Sequence, residues 1–258
     1  MDFGVSTSCL YPMYTEEALS FLAKNGVKNV EIFFNADEEL EGTFIGLLHK
    51  ITRKYGVNVK SLHVCAAHND SFMLFSNYDR RLKQGLDNYK KYGEIAHILG
   101  AKYVVMHGGK DNGILDLNGY CERYLLINEQ LIGSGAYLLQ ENATKFRCGD
   151  LNFLKNMCDI LGNRLKICFD VKQAIRHGYN PMRFYNEVKE NICHIHLSDN
   201  TSMHDCLLPG RGSFNIKRFL NMLSENNFGE GIIIEVYNKC YTDYNEIING
   251  YNYLRNLK

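Results

Sequence analysis

Along the chain, short apolar or β-branched runs alternate with longer stretches in which apolar positions recur every three to four residues, and this continues to the C-terminus without a linker. Strands alternating with amphipathic helices produce that pattern. It predicts strands at Phe3–Ser6, Asn29–Phe33, Asn58–His63, Lys102–His107, Tyr137–Glu141, Leu165–Asp170, Ile192–His196 and Gly231–Glu235. Between and after them it predicts helices at Thr15–Asn25, Asp37–Tyr55, Asp79–Leu99, Leu117–Ile132, Leu151–Leu161, Asn180–Val188, Asn215–Asn226 and Tyr244–Leu257. Local punctuation agrees: Thr15 reads as an N-cap, Gly26, Gly56 and Gly100 as stops, and Pro181 sits in a first turn. Residues Val64–Asn77 and Leu197–Ser213 read as long loops, the first a candidate substrate cover. Strict alternation of eight strands and eight helices in 258 residues predicts an α/β protein, one (β/α)8 barrel domain over residues 1–258. A dinucleotide-binding sheet is disfavoured because no GxGxxG or GxxxxGK[ST] follows an early strand, and no repeat of solenoid length is present.

Lys+Arg 29 against Asp+Glu 29 gives zero formal charge, so no global field attracts nucleic acid or an anionic membrane, although a local basic groove is left open. Nine cysteines, an odd number without a CxxC pair, together with no secretory signal, point to a reducing cytoplasm. No apolar run approaches the ~18 residues of a membrane span.

In a barrel the C-terminal strand ends converge on one mouth. Here strands three to eight end in His63, His107, Glu141, Asp170, His196 and Glu235. A carboxylate following an apolar run such as Ile232-Ile233-Ile234 is costly to bury unpaired, and a divalent cation is a natural compensation. His194 and His196 point to one side of their strand, with only His196 near enough to the mouth to act. Ligation by Glu, Asp and His without thiolates suits zinc, manganese, cobalt or magnesium without deciding among them, the histidines leaning toward zinc or manganese, while Cys65, Cys168 and Cys193 are read as packing residues on the opposite side of their strands. Arg211, Gln173, His68 and Lys110 are candidate substrate-binding residues. The apolar loop residues Phe72, Met73, Leu74 and Phe75 suit either a ligand cover or contact with a second subunit in a homo-oligomer.

The chain resembles the xylose isomerase-like TIM barrel superfamily, which holds sugar phosphate isomerases/epimerases, tagatose- and psicose-type epimerases and endonuclease IV (AP endonuclease family 2). The resemblance spans the whole chain and rests on Ser61-Leu-His63, Val104-Val-Met-His-Gly-Gly109, Leu139-Gln-Glu-Asn142, Cys168-Phe-Asp170, His194-Ile-His-Leu-Ser-Asp199, Pro209-Gly-Arg-Gly212 and Ile234-Glu-Val236. It implies one divalent metal held by Glu141, Asp170, His196 and Glu235, with Glu141 and Glu235 also the acid/base pair. Endonuclease IV implies a further ion held by His63, His107 and a shared Glu141. Its third zinc site is altered here, with Gln173 in place of a His and His204-Asp205-Cys206 in place of an Asp-x-His. Tagatose-type epimerases have a His at the Gln173 position and a substrate Arg at the position of Ser202. The leading expectation is a metal-dependent sugar or sugar-phosphate isomerase/epimerase acting through an enediolate on a small molecule. The alternatives are a two-metal phosphodiesterase or AP endonuclease, and a noncatalytic sugar-binding barrel.

Overall fold

The computed structural model describes residues 1–64 and 67–257, with the side chains of Ala67 and His68 outside that description. Its strands are β1 (Asp2–Ser6), β2 (Asn29–Phe33), β3 (Asn58–His63), β4 (Tyr103–Met106), β5 (Tyr137–Glu141), β6 (Ile167–Asp170), β7 (Ile192–Leu197) and β8 (Gly231–Ile234). They close in chain order into a parallel barrel, with β1 paired to both β2 and β8. The helices are α1 (Thr15–Lys24), α2 (Gly42–Tyr55), α3 (Ala67–Leu74), α4 (Asp79–Leu99), α5 (Leu117–Ile132), α6 (Leu151–Leu161), α7 (Val171–Arg176), α8 (Pro181–Val188), α9 (Ile216–Glu225) and α10 (Asn245–Asn256). This is the predicted (β/α)8 TIM barrel.

The strands read as apolar runs because both faces are buried. One face meets the helices in a single large core, while Tyr103, Val105, Leu139 and Cys168 form a small separate cluster. Side chains alternate along a strand, so the Leu139 face carries Glu141 and the Cys168 face carries Asp170. Cys168 therefore lies on the same side as the candidate ligands, contrary to the sequence expectation. Its sulfur is within 4.8 Å of donor atoms of His194 and His196. Burial pushes its thiol far up, so it packs as a neutral group. Cys65 lies outside the described residues.

Several elements differ from their predicted form. Residues 37–55 are not one helix: a 3-10 turn at Asp37–Leu40 is separated from α2 by an extended Glu41. The Glu39 carboxylate makes the turn, accepting the Asn35 N–H at 2.7 Å and the Thr15 hydroxyl at 3.0 Å. Thr15 is thus a helix residue with its hydroxyl engaged elsewhere, and Tyr14 takes the cap position. The supposed loop after β3 contains α3; Leu74 at its end and Phe75 just beyond it are buried, while Phe72 stays exposed beneath the Arg81 guanidinium. Phe75 stacks on Tyr120 with ring centroids 4.5 Å apart, so it belongs to the core and not to a free cover. The short α7 went unpredicted; Asp170 caps it, accepting the Gln173 N–H at 3.1 Å. Among the described residues no helix is long and apolar enough to cross a membrane.

The segment between β7 and α9 is organised by one carboxylate. Asp199 accepts the backbone N–H groups of Asn200, Gly210, Gly212 and Phe214 at 2.8 to 3.0 Å, and its own backbone pairs with Leu207 in both directions. Gly212 is required by that approach, because a Cβ there would lie 2.3 Å from Asp199 Oδ1 and 2.4 Å from the Asn200 carbonyl. Asp199→Ala should lower stability by about 3 kcal/mol, since four N–H groups lose a charged acceptor, and Gly212→Ala by about 2 kcal/mol. Urea unfolding checks both; losses under about 0.5 kcal/mol, the usual range for inert surface changes, would remove Asp199 as the organiser.

Candidate active site

Seven side chains from seven strands meet at the C-terminal end of the barrel: Glu31, His63, His107, Glu141, Asp170, His196 and Glu235. His107 and Glu235 stand one residue beyond β4 and β8, where the strands hand over to the loops. His196 is central. Its Nδ1 lies 3.5 Å from Glu141, 3.7 Å from Asp170 and 3.4 Å from Glu235. One donor atom each from Glu141, Asp170, His196 and Glu235 falls within 4.8 Å of the others, as does a second group of His63, His107 and Glu141. In that second group Glu141 Oε2 is 3.1 Å from His107 Nε2 and 3.9 Å from His63 Nε2.

The hydrogen bonds fix which imidazole nitrogens face the mouth. His63 Nδ1 is spent on the carbonyl of Val64 at 3.1 Å, leaving Nε2 toward Glu141. His196 Nε2 is bonded to Glu31 Oε2 at 3.0 Å, leaving Nδ1 toward the three other carboxylates. His63 Nε2 and His196 Nδ1 are both buried without a hydrogen-bond partner among the described residues. Buried nitrogens of this kind, aimed at carboxylate oxygens and backed by a hydrogen bond behind the ring, fit a divalent cation well.

Glu31 escaped the sequence reading. It is fully buried in β2 and accepts the Ser61 hydroxyl at 2.8 Å as well as His196. His194 lies deeper on the same strand face as His196, with Nε2 3.1 Å from Ser61 Oγ and 3.5 Å from Glu31. Lys172 was also missed. Its side chain is only 2% exposed, and Nζ is bonded to both Asp170 Oδ2 and Glu235 Oε2.

Charge sets the protonation states. Burial drives the Glu235 carboxyl upward, but Lys172 and His196 overcome it and hold the group ionised. Burial likewise opposes ionisation of Glu141, and the surrounding histidines keep it well below the usual carboxylate range. Burial works against protonation of His196, yet Glu31 and Glu235 hold its pKa well above the ordinary 6.5. Burial brings His107 down to about 4, so it is neutral at physiological pH.

A cavity of about 260 Å³ opens over this cluster. His107, Glu141, Lys172, Gln173 and Glu235 give it a polar base, and Tyr11, Phe33, Val236 and Tyr237 give it apolar walls. Gln173 spends its side-chain oxygen on Thr144, at 3.0 Å from the backbone N–H and 2.7 Å from the hydroxyl, so its NH2 is what it can offer a ligand. Arg211 is not brought to the cavity: it is 59% exposed and pairs with Glu246 at 3.1 Å. Lys110 does not line it either, its backbone N–H being held by Ser71 and its chain bridged to Phe146. The His68 side chain lies outside the described residues. Cys206 is buried, with its carbonyl accepting the Cys240 thiol at 3.2 Å.

A family model described as xylose isomerase-like TIM barrel matches residues 19–257. The chain belongs to that family. Among solved structures of this fold, a D-tagatose 3-epimerase-like protein superposes with a TM-score of 0.83 at 21% identity, covering 100% of this chain and 97% of that one. The 3-keto-D-glucoside 4-epimerase of E. coli gives a TM-score of 0.79 at 13% identity, covering 99% of each chain. By sequence, the inosose dehydratase of Clostridium beijerinckii is 20% identical over 258 residues, 85% of this chain and 81% of that protein.

Replacing Glu31 by Gln should lower the pKa of His196, because the carboxylate at 3.0 Å favours the imidazolium. A raised folded-state pKa contributes stability that is complete below the unfolded value near 6.5 and lost as pH rises through the folded pKa. Glu31→Gln should therefore reduce the loss of stability on the alkaline side of pH 6.5. Histidine ring NMR titration with urea unfolding at several pH values checks this; an unshifted His196 would remove Glu31 as its electrostatic partner.

Proposed function

We propose that the protein is a divalent-metal-dependent sugar or sugar-phosphate isomerase or epimerase. The observation that carries the reading is the convergence of Glu141, Asp170, His196 and Glu235 beneath a cavity of small-molecule size, with both glutamates among its lining residues. The names of the similar proteins, a D-tagatose 3-epimerase-like protein, a 3-keto-D-glucoside 4-epimerase and an inosose dehydratase, support a substrate of the sugar class.

The four residues would hold one ion, zinc or manganese, which supplies polarisation of a substrate carbonyl and the adjacent hydroxyl. The protein's own groups do the rest. Glu141 and Glu235 are held ionised, so either can take the proton from the carbon beside the carbonyl while the electron pair moves onto the carbonyl oxygen, giving an enediolate. Proton return to the neighbouring carbon, with the hydroxyl proton passing to the former carbonyl oxygen, gives the isomer; return to the same carbon from the other face, by the second glutamate once it has taken a proton from solvent, gives the epimer and leaves the two glutamates with their protonation exchanged. Tyr11, Phe33 and Tyr237 offer ring faces to the C–H surfaces of a sugar and keep water from the intermediate, while the Gln173 NH2 donates to a hydroxyl.

Hydrolysis of a phosphate ester at two ions is a second reading, supported by the approach of His63 and His107 to Glu141. Against it, Arg211 pairs with Glu246 away from the cavity, and Gln173 stands where a third site would need histidine. A noncatalytic sugar-binding barrel would show binding without turnover.

Protein loaded with zinc or manganese should catalyse exchange of solvent deuterium into the carbon beside the carbonyl of a ketose or ketose phosphate. Chelation should abolish the exchange, and Glu141→Gln and Glu235→Gln should each cut it by roughly 10²–10⁴-fold. No exchange with any ketose tested, set beside cleavage of a model phosphodiester, would transfer the assignment to the hydrolase. Elemental analysis of the wild type and of the paired variant His63→Ala/His107→Ala should give one ion per chain in both; two ions falling to one would establish a bridged pair and favour the hydrolase.

A further inference from the structure

Besides the His196 ring, the structure places the ammonium of Lys172 against Asp170 and Glu235. Its side chain is almost wholly buried, it starts on the first turn of α7 two residues beyond Asp170, and Nζ donates to Asp170 Oδ2 and Glu235 Oε2 together. Those two oxygens also face His196 Nδ1, at 3.7 and 3.4 Å, in the four-residue group proposed above to hold a divalent ion. Lys172 and that ion therefore draw on the same two oxygens. A divalent ion ligated through nitrogen and carboxylate oxygen needs lone pairs at about 2.0–2.2 Å, aimed at one point. An ammonium bonded into two of those lone pairs removes them and places a like charge beside the ion.

Resting on the metal-site reading given above, we propose that Lys172 is a built-in competitor of the divalent ion: the ammonium neutralises Asp170 and Glu235 until an ion takes its place, and ion entry displaces it into the cavity.

The surroundings provide for both positions. Without a positive charge, Glu141, Asp170 and Glu235 would face one another in a buried site, which neither packing nor solvent could offset. A lysine suits the task because its charge sits on a flexible four-carbon stem that can swing without moving the backbone. The displaced ammonium has a destination, since Lys172 already lines the cavity and the face of Tyr237 lies 5.8 Å from Nζ. Once moved, it is a hydrogen-bond donor facing the bound molecule and no longer a counter-ion behind it. An ammonium bonded to two carboxylates carries no lone pair, so Lys172 is not a nucleophile toward a sugar carbonyl.

The test measures ion binding and amine exposure and does not require turnover. Zinc and manganese affinities of the wild type and Lys172→Met are read by competition with a chromophoric chelator, and Lys172→Gln repeats the measurement with a side chain that can still hydrogen-bond should the Met variant fold poorly. Both variants should bind at least tenfold more tightly than the wild type. In chelator they should melt below the wild type, and saturating ion should close that gap. In the wild type, reductive methylation with formaldehyde followed by peptide mass analysis should leave Lys172 unmodified in chelator and modify it when the ion is bound. Equal or weaker ion affinity in the variants, or a Lys172 as protected with ion as without it, overturns the proposal. If neither wild type nor variants bind an ion, the metal-site reading fails with it; tight binding by the wild type that is unchanged in the variants removes only the role given to Lys172.

Discussion

The burial of negative charge at the barrel mouth is the constraint on which the site depends. Glu31, Glu141 and Asp170 are almost entirely removed from water, and Glu235 is nearly so. Water cannot solvate them, so positive charge or N–H groups must. The histidines and Lys172 of the same cluster meet that demand. They do so imperfectly, since His63 Nε2 and His196 Nδ1 are left without hydrogen bonds among the described residues. A site satisfied only in part by its own side chains is disposed to accept a cation from outside.

The barrel makes this concentration of charge achievable because seven of its strands each bring one of these side chains to the same mouth. Asp170 illustrates the economy of the arrangement. One of its oxygens caps α7 and the other faces Lys172, so the start of a helix and the geometry of the site are set by a single carboxylate. Asp199 does comparable work one strand later, where its carboxylate gathers four N–H groups and holds the segment leading into α9.

The fold was legible because its signals are periodic and local: eight apolar runs, glycine stops such as Gly56 and Gly100 in left-handed conformation, and strand ends carrying polar residues. That the strand-end residues would meet at one mouth followed from barrel closure; how they divide into two groups was implied by the family resemblance. What escaped depended on contacts distant in sequence or on short elements. Glu31 sits in mid-strand, away from the strand tips where polar residues draw notice, and only its pairing with His196, 165 positions away, reveals it. Lys172 reads as a surface lysine until α7 folds it back over Asp170. Arg211 looked available to a ligand because its partner, Glu246, lies on α10. The direction of Cys168 was legible, two residues from Asp170, and was misassigned against the alternation rule that fixes it.

The pairing of Glu31 with His196 also bears on how the chain is assembled as it is synthesised. The carboxylate on β2 emerges long before its histidine partners on β7, and β1 finds its second neighbour only when β8 arrives. A nascent chain ending after β6 would hold Glu31, Glu141 and Asp170 without His194, His196 or the strand that closes the ring. Such a fragment must keep those groups hydrated and its barrel open. The last quarter of the protein is thus the part whose arrival allows the interior charges to leave water, which makes completion of the barrel and completion of the site a single event.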